Sequence, residues 1–480
     1  MHRIDELQYR MPKIRLFTIL CVVLCPLFAL GQSTGKPPVI IIPGVSGSEL
    51  VGPKTKEKAW FSIKRHKADD LRLPMTSPLL RANRDTLKVG DIIREVKLPV
   101  LPDVEVYKSL LDALKARGYT EATWNNPRAS DVFYVFPYDW RRDNVETAHL
   151  LIRKITAAKV KLRKPQLKFD IIAHSMGGLI ARYAAMYGLA QPPASNPKPT
   201  WSGAAHLNKV MMFGTPNEGS FSAFETLVKG YPIIAERNLP FVDDLRPEDV
   251  FTSPAAFQLL PHNGTAKFLD DDLKPMTIDI YDPQNWLKYG WTPLADPKFL
   301  SKLKDAAALE RANKDVKPER PKPNAALDDR IIANTTSAQV RAYFASALRR
   351  AKLFHAALDA QSDKIPIQLY AYGGNCKPTL SSVILVRNDK KDEWETLFEP
   401  RGIKHNGGSE IKKEQVQAAI FAPGDGRVTQ NSLLADSATN KIYTPTASFL
   451  ACGSHTKLFL EKPIQDSFLS ALIVEKKEQP

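Results

Sequence analysis

Six consecutive residues, Ala173-His174-Ser175-Met176-Gly177-Gly178, have the makings of a nucleophile. A serine between small residues, after a buried strand and before a helix, is the pattern of a nucleophile elbow. The turn is so tight that bulky side chains two before and two after the serine would collide. Ala173 and Gly177 avoid this, with alanine where glycine is usual. The serine is thereby held in a strained conformation with its Oγ presented. The following helix aims its N-terminus at the site, and the Met176 N–H can donate to a developing oxyanion. Without the strand and helix around it, the same hexapeptide is a Gly-rich packing turn.

Serine at its free pKa is a poor nucleophile and needs a base and an acid that orients the base. With an elbow of this kind the chain order is serine, then acid, then histidine. Gly424-Asp425-Gly426 follows the apolar run 418–422, a strand-to-loop position, and Gly453-Ser454-His455-Thr456 comes thirty residues later. Alone, the first is an ordinary turn and the second a surface-loop histidine. Together, their order and spacing fit. His174 is held beside the elbow and cannot reach its own neighbour's Oγ, while His262, His355 and His405 precede the acid, so His455 is the histidine left after it. A second oxyanion donor belongs to the loop after the first strand, Gly44-Val45-Ser46-Gly47-Ser48, whose glycines let backbone approach the substrate. The Ser46 N–H is the first choice and Val45 the alternative; a tight strand exit explains the same glycines.

The elements that must position these groups alternate. Val39-Ile40-Ile41-Ile42, 131–136, 169–173 and 207–213 are short apolar runs that read as buried strands. Between them, 104–118, 146–160 and 177–187 read as helices. This is an α/β fold, a mainly parallel sheet with helices on both faces, and its elbow makes it an α/β-hydrolase fold. From 217 to 364 strands are sparse, and Pro, charge and helical stretches such as 336–358 dominate, with a hydrophilic connector at 318–323. Strands resume at 365–372, 381–386 and 417–422. The expected organisation is a leader at 1–31, core at 37–216, a large, mostly helical cap insertion at 217–364, and core again at 365–475 carrying the acid and the histidine.

The 480 residues include 67 Lys+Arg, 52 Asp+Glu and four cysteines, a net charge of +15. That excludes a disulfide-dense mini-scaffold, collagen and wholesale disorder. Basic residues at 13 and 15, the apolar run 16–30 and a small-x-small site at Ala29 and Gly31 read as an export signal; a retained anchor is the alternative, which Pro26 disfavours. Cleavage removes four cations and two anions, taking +15 to +13, and leaves Cys376 and Cys452. In an exported chain these two read as one disulfide, against two buried free thiols. No zinc spacing, EF-hand loop, P-loop or dinucleotide fingerprint is present, so neither cofactor nor metal is expected. The basic runs lack interleaved aromatics, which argues against nucleic acid.

At these residues the chain resembles the lecithin:cholesterol acyltransferase and lysosomal phospholipase family, in a bacterial type. The matching pieces are 43–50, Trp60, Phe136-Pro137-Tyr138-Asp139-Trp140-Arg141, the elbow, the turn Gly214-Thr215-Pro216-Asn217-Glu218-Gly219, Gly424-Asp425-Gly426 and His455. The resemblance implies acyl transfer from a lipid ester: Ser175 takes the acyl chain, and water or an alcohol removes it. It further implies that Ser46 and Met176 form the oxyanion hole and that Trp60 and Val45 lie at the substrate, with a core aromatic the competing role for Trp60. Tyr138, Asp139 and Arg141 would brace the site. No cysteines flank Trp60, so the bridged lid loop of the animal enzymes is absent, and 221–365 aligns with nothing in the family. A lipid-ester enzyme also gives the positive charge a use at an anionic membrane surface. The other readings are an esterase with a different cap, and a non-catalytic binding module at an anionic envelope surface.

Overall fold

The computed structural model describes residues 35–473, except 55, 62–70, 97–103, 232–244, 306–327, 363, 389–391, 406–409, 438–439 and 442. The expected leader and the 318–323 connector lie outside the described residues.

Seven parallel strands form the central sheet, in the order Ala447–Ala451, Gln368–Gly374, Leu207–Phe213, Phe169–His174, Val39–Ile42, Val132–Val135, Thr120–Glu121. The chain starts in the middle at Val39–Ile42, crosses to the edge at Thr120–Glu121, returns inward through Val132–Val135, and then builds outward on the other side from Phe169–His174. Strand order therefore reverses between Val39–Ile42 and Phe169–His174, and the crevice beyond the carboxyl ends there is where such sheets hold ligands.

Both faces of the sheet are covered, which is why its strands read as unbroken apolar runs. Ile40, Ile42, Ile171, Ala173, Val210 and Met212 point into one core with the helices Asn144–Leu162, Met176–Tyr187 and Ser337–Leu358. Val39, Ile41, Ile172, Met211 and Phe213 point into the other, against Lys108–Ala116 and the C-terminal helix Lys462–Ile473. Alternate residues of each strand thus choose opposite layers, as the period of two requires.

Two buried cations fasten helix C-termini, where unpaired carbonyls and the helix dipole favour positive charge. Arg182 of the elbow helix donates to Leu358 O at 2.8 Å and to Asn217 Oδ1 at 2.8 Å. Its neighbour Tyr187 bonds Ala357 O at 2.9 Å, so the long helix of the insertion ends on the elbow helix. Lys209, on a central strand, bonds Ala471 O at 2.8 Å.

The insertion builds an aromatic nucleus in which Phe224 lies edge-on to Phe268, Trp286 and Trp291. A four-stranded sheet, Pro275–Met276, Lys267–Leu269, Ser382–Asn388, Glu393–Leu397, draws two strands from 217–364 and two from 365–475. The run at 381–386 is therefore a strand, as its continuous apolar stretch indicates, but it pairs with Lys267–Leu269 rather than with the central sheet. The stretch 417–422 is mixed: helix Lys413–Ile420, opened by Gln415 accepting from the Lys412 N–H, passes directly into strand Phe421–Gly424.

Cys376 and Cys452 are disulfide-bonded across 76 residues, with Cα atoms 5.1 Å apart. Both are exposed, so replacing them opens no cavity and the cost is loop entropy. Cys376→Ser/Cys452→Ser should lose about 2–5 kcal/mol of stability, read as a lower urea midpoint.

Candidate active site

The elbow is built as its small residues require. Ser175 has φ +53° and ψ −125°, between the strand end at His174 and the helix start at Met176. Its N–H bonds Phe213 O at 2.7 Å, pinning the turn to the neighbouring strand. Its side chain makes no capping bond to the helix, so the hydroxyl is not used up by its own backbone. A Cβ on Gly177 would come within 2.6 Å of Pro43 O and 2.7 Å of Ile42 O. A Cβ on Gly44 would lie 2.9 Å from Ser175 Cβ. The first strand's exit and the elbow are in backbone contact, which only glycine allows.

The loop 44–48 is held from several sides. Gly47 N–H bonds Gly44 O at 3.1 Å. Tyr138 Oη donates to Pro43 O at 2.8 Å, and the Tyr138 N–H bonds Ser48 Oγ at 3.1 Å. Trp60 Nε1 donates to Ser46 O at 2.7 Å, while its ring is 3% exposed and packs 5.3 Å from Trp140. Trp60 thus braces the loop from behind. Val45 is 41% exposed at the loop's tip, and Ser46 takes a φ of +62°. The amides of Gly44 and Gly47 are already engaged; those of Val45 and Ser46 lie between them. Met176 opens the elbow helix and is fully buried.

The 136–141 element is a brace with its charges satisfied internally. Arg141, buried, pairs with Asp139 at 2.9 Å and Asp85 at 2.6 Å and donates to Leu71 O at 2.9 Å. Five donors in a fixed fork suit this work of tying three segments together.

Asp425 and His455 meet although thirty residues separate them. His455 Nδ1 bonds Asp425 Oδ2 at 2.8 Å, and the His455 N–H bonds Asp425 O at 2.9 Å. The other carboxylate oxygen accepts from the Arg427 and Val428 amides at 2.9 and 2.7 Å. Burial pushes the Asp425 carboxyl up, but His455 and these two amides outweigh it and hold the group below its ordinary value. With Nδ1–H given to the carboxylate, Nε2 is the nitrogen left to act as a base. Among the described residues Ser175 Oγ makes no hydrogen bond to His455; in an unliganded site this contact is often loose and tightens on substrate. The two are linked through His174, whose ring centroid lies 4.9 Å from that of His455.

Sequence reasoning did not identify Tyr107. Its Oη takes the Gly44 N–H at 2.8 Å and meets His174 Nδ1 at 2.9 Å. It stands just ahead of an amphipathic helix, where a buried tyrosine reads as one more apolar contact. Gly214 was visible as part of a turn but not as a support. It has φ +55°, and a Cβ there would lie 2.8 Å from Asp425 Oδ2 and 2.9 Å from His455 Nδ1. Among the described residues, no group of three His, Cys, Asp or Glu side chains is placed to hold a metal ion.

The lecithin:cholesterol acyltransferase family model matches residues 92–304. That span contains the 136–141 element, the elbow and the 214–219 turn, and it runs on through 221–304, correcting the expectation that this stretch aligns with nothing in the family; it leaves out 43–50, Trp60, Asp425 and His455. Uncharacterized protein YJR098C of Saccharomyces cerevisiae is 24% identical over 467 residues, covering 91% of this chain and 62% of its own length. The chain thus spans about three fifths of that curated relative. A chain of the Tle4-Tli4 complex is similar at a TM-score of 0.45 and 15% identity, covering 91% of this chain and 97% of its own. The lipase BlEst2 of Bacillus licheniformis is similar at 0.32 and 10%, covering 92% and 94%.

Two outcomes follow from the geometry. Gly214→Ala should cut kcat about 10- to 100-fold with little change in KM, because the added methyl displaces the Asp425–His455 pair rather than substrate. The depressed Asp425 carboxyl contributes stability that is present above its unfolded value of about 4 and lost as pH falls towards its lower folded value. Urea unfolding should therefore show Asp425→Asn less stable than wild type at pH 7, with the gap narrowing below pH 4.

Proposed function

We propose that this chain is a serine acylhydrolase or O-acyltransferase acting on lipid esters, with Ser175, Asp425 and His455 as its catalytic groups. The observation that carries the reading is the bonded Asp425–His455 pair beside a strained serine elbow, in a chain whose residues 92–304 match the lecithin:cholesterol acyltransferase family. Ser175 Oγ attacks the ester carbonyl and gives its proton to His455 Nε2. Asp425 keeps Nδ1 protonated and stabilises the imidazolium that forms. The Met176 amide and one from the 44–48 loop, Ser46 or Val45, take the oxyanion. His455 then protonates the departing alcohol, leaving an acyl group on Ser175. Water, or a second alcohol activated by His455, removes that group.

Trp60 supports this chemistry through Ser46 O, and we assign Val45 the contact with the acyl chain, a role its exposure at the loop tip supports. We assign the chain to the exported side of a membrane on its basic-apolar-small leader, and give the +13 charge left after leader cleavage the role of attraction to anionic lipid. Binding to vesicles should weaken with added salt and with removal of anionic lipid; affinity indifferent to both contradicts that role.

An active-site-directed fluorophosphonate should label Ser175, and Ser175→Ala should abolish labelling and lower turnover of phospholipid vesicles about a thousandfold or more. Turnover undiminished in that variant would end the reading. Adding a long-chain alcohol to the vesicles separates the two reaction types: an acyl-alcohol product means transfer, and free fatty acid alone means hydrolysis.

A further inference from the structure

The hydrogen bonds around His174 form a chain with one consistent set of protons. The Gly44 N–H can only donate, so Tyr107 Oη accepts it, at 2.8 Å. The His455 carbonyl can only accept, so His174 Nε2 carries a proton and donates it, at 3.0 Å. A neutral imidazole has one N–H. His174 Nδ1 is therefore bare, and the Tyr107 hydroxyl donates to it at 2.9 Å. Every group is used once and none is left over. A second proton on His174 would face the Tyr107 hydroxyl and strip that hydroxyl of its acceptor.

We propose that Tyr107 and His174 are positioning residues that act as one neutral strut, fixing the 44–48 loop and the His455 backbone in register with Ser175. The inference rests on the acyl-transfer reading of the site. The strut joins three segments far apart in sequence: the first strand's exit, the elbow, and the C-terminal histidine loop. Neither side chain touches substrate or gives up a proton in the reaction. Tyr107 is 2% and His174 7% exposed, and Phe459 packs on both rings, at 6.1 and 5.4 Å. Burial, reinforced by His455, holds the His174 pKa down at about 3. The remaining titratable group bearing on it, Asp425, lies beyond His455 and works the other way without prevailing.

The strut explains why a histidine stands beside the serine without serving as its base. Its imidazole spans from the loop side to the His455 side with one acceptor and one donor, a pairing no hydrocarbon supplies. Removing the Tyr107 hydroxyl would leave the Gly44 N–H and His174 Nδ1 buried without partners, and the loop that offers oxyanion donors would lose its tie to the base.

The test compares wild type, Tyr107→Phe, His174→Gln and the double variant. The readouts are kcat and KM on a soluble short-chain ester and the rate of fluorophosphonate labelling at Ser175. Tyr107→Phe should lower kcat and the labelling rate together by about 10- to 100-fold, with KM within about twofold. The double variant should be no worse than the slower single variant, because the two side chains act as a unit. His174→Gln, whose amide can still donate to His455 O, should retain more activity than a further variant, His174→Ala, measured alongside. Tyr107→Phe labelling at the wild-type rate, or additive losses in the double variant, overturns the strut. Wild type that fails to label overturns the acyl-transfer reading instead. The strut is then still read by 15N shifts of wild-type His174, which must show the neutral Nε2–H form at pH 5; an Nδ1–H or cationic ring refutes it.

Discussion

The site depends on one close approach, between the exit of the first strand and the turn that follows Phe169–His174. These strands are parallel neighbours where the strand order reverses. Gly177 sits against Pro43 O and Ile42 O, and Gly44 against Ser175 Cβ, at separations that leave no space for a methyl group. That contact sets the φ of Ser175, the direction of the elbow helix and the position of the 44–48 loop. Strain at one residue is sustained because the surrounding sheet, itself buried on both faces, over-determines it.

The histidine arrives from the far end of the chain and needs its own restraints. His455 is fixed through three atoms: its N–H on Asp425 O, its Nδ1 on Asp425 Oδ2, and its O on His174. The acid is in turn held by two amides of its own loop, and Gly214 lets the neighbouring strand end come beneath the pair. The Cys376–Cys452 bond ties the start of this loop to the segment after Gln368–Gly374. Each restraint is short-range, so small displacements at any of them reach the reacting atoms.

Much of this was legible in the sequence because buried parallel strands announce themselves as short apolar runs. Leu207–Phe213 and the elbow strand lie where the pattern puts them. The elbow turn and the meeting of the Asp425 and His455 loops were legible through local turn chemistry and chain order. What was illegible was pairing. Ser382–Asn388 has a strand's apolar run whichever sheet it joins, and nothing in its residues specifies Lys267–Leu269 as partner. The polar use of a buried aromatic was equally hidden: Tyr107 fits an apolar stripe, and its hydroxyl's partners come from residues 63 and 67 positions away. Trp60 shows the same ambiguity, its ring in the core and its N–H on Ser46 O.

In the proposed chemistry Ser175 carries the acyl group between two half-reactions. Acid quenching during turnover of a slowly deacylated ester, followed by peptide mass mapping, tests it directly. The expected result is the acyl mass on the peptide containing Ser175, appearing at a rate no slower than product release and absent from Asp425→Asn quenched at the same early time. Steady turnover with no acyl mass on that peptide, or with the mass on another residue, would contradict it.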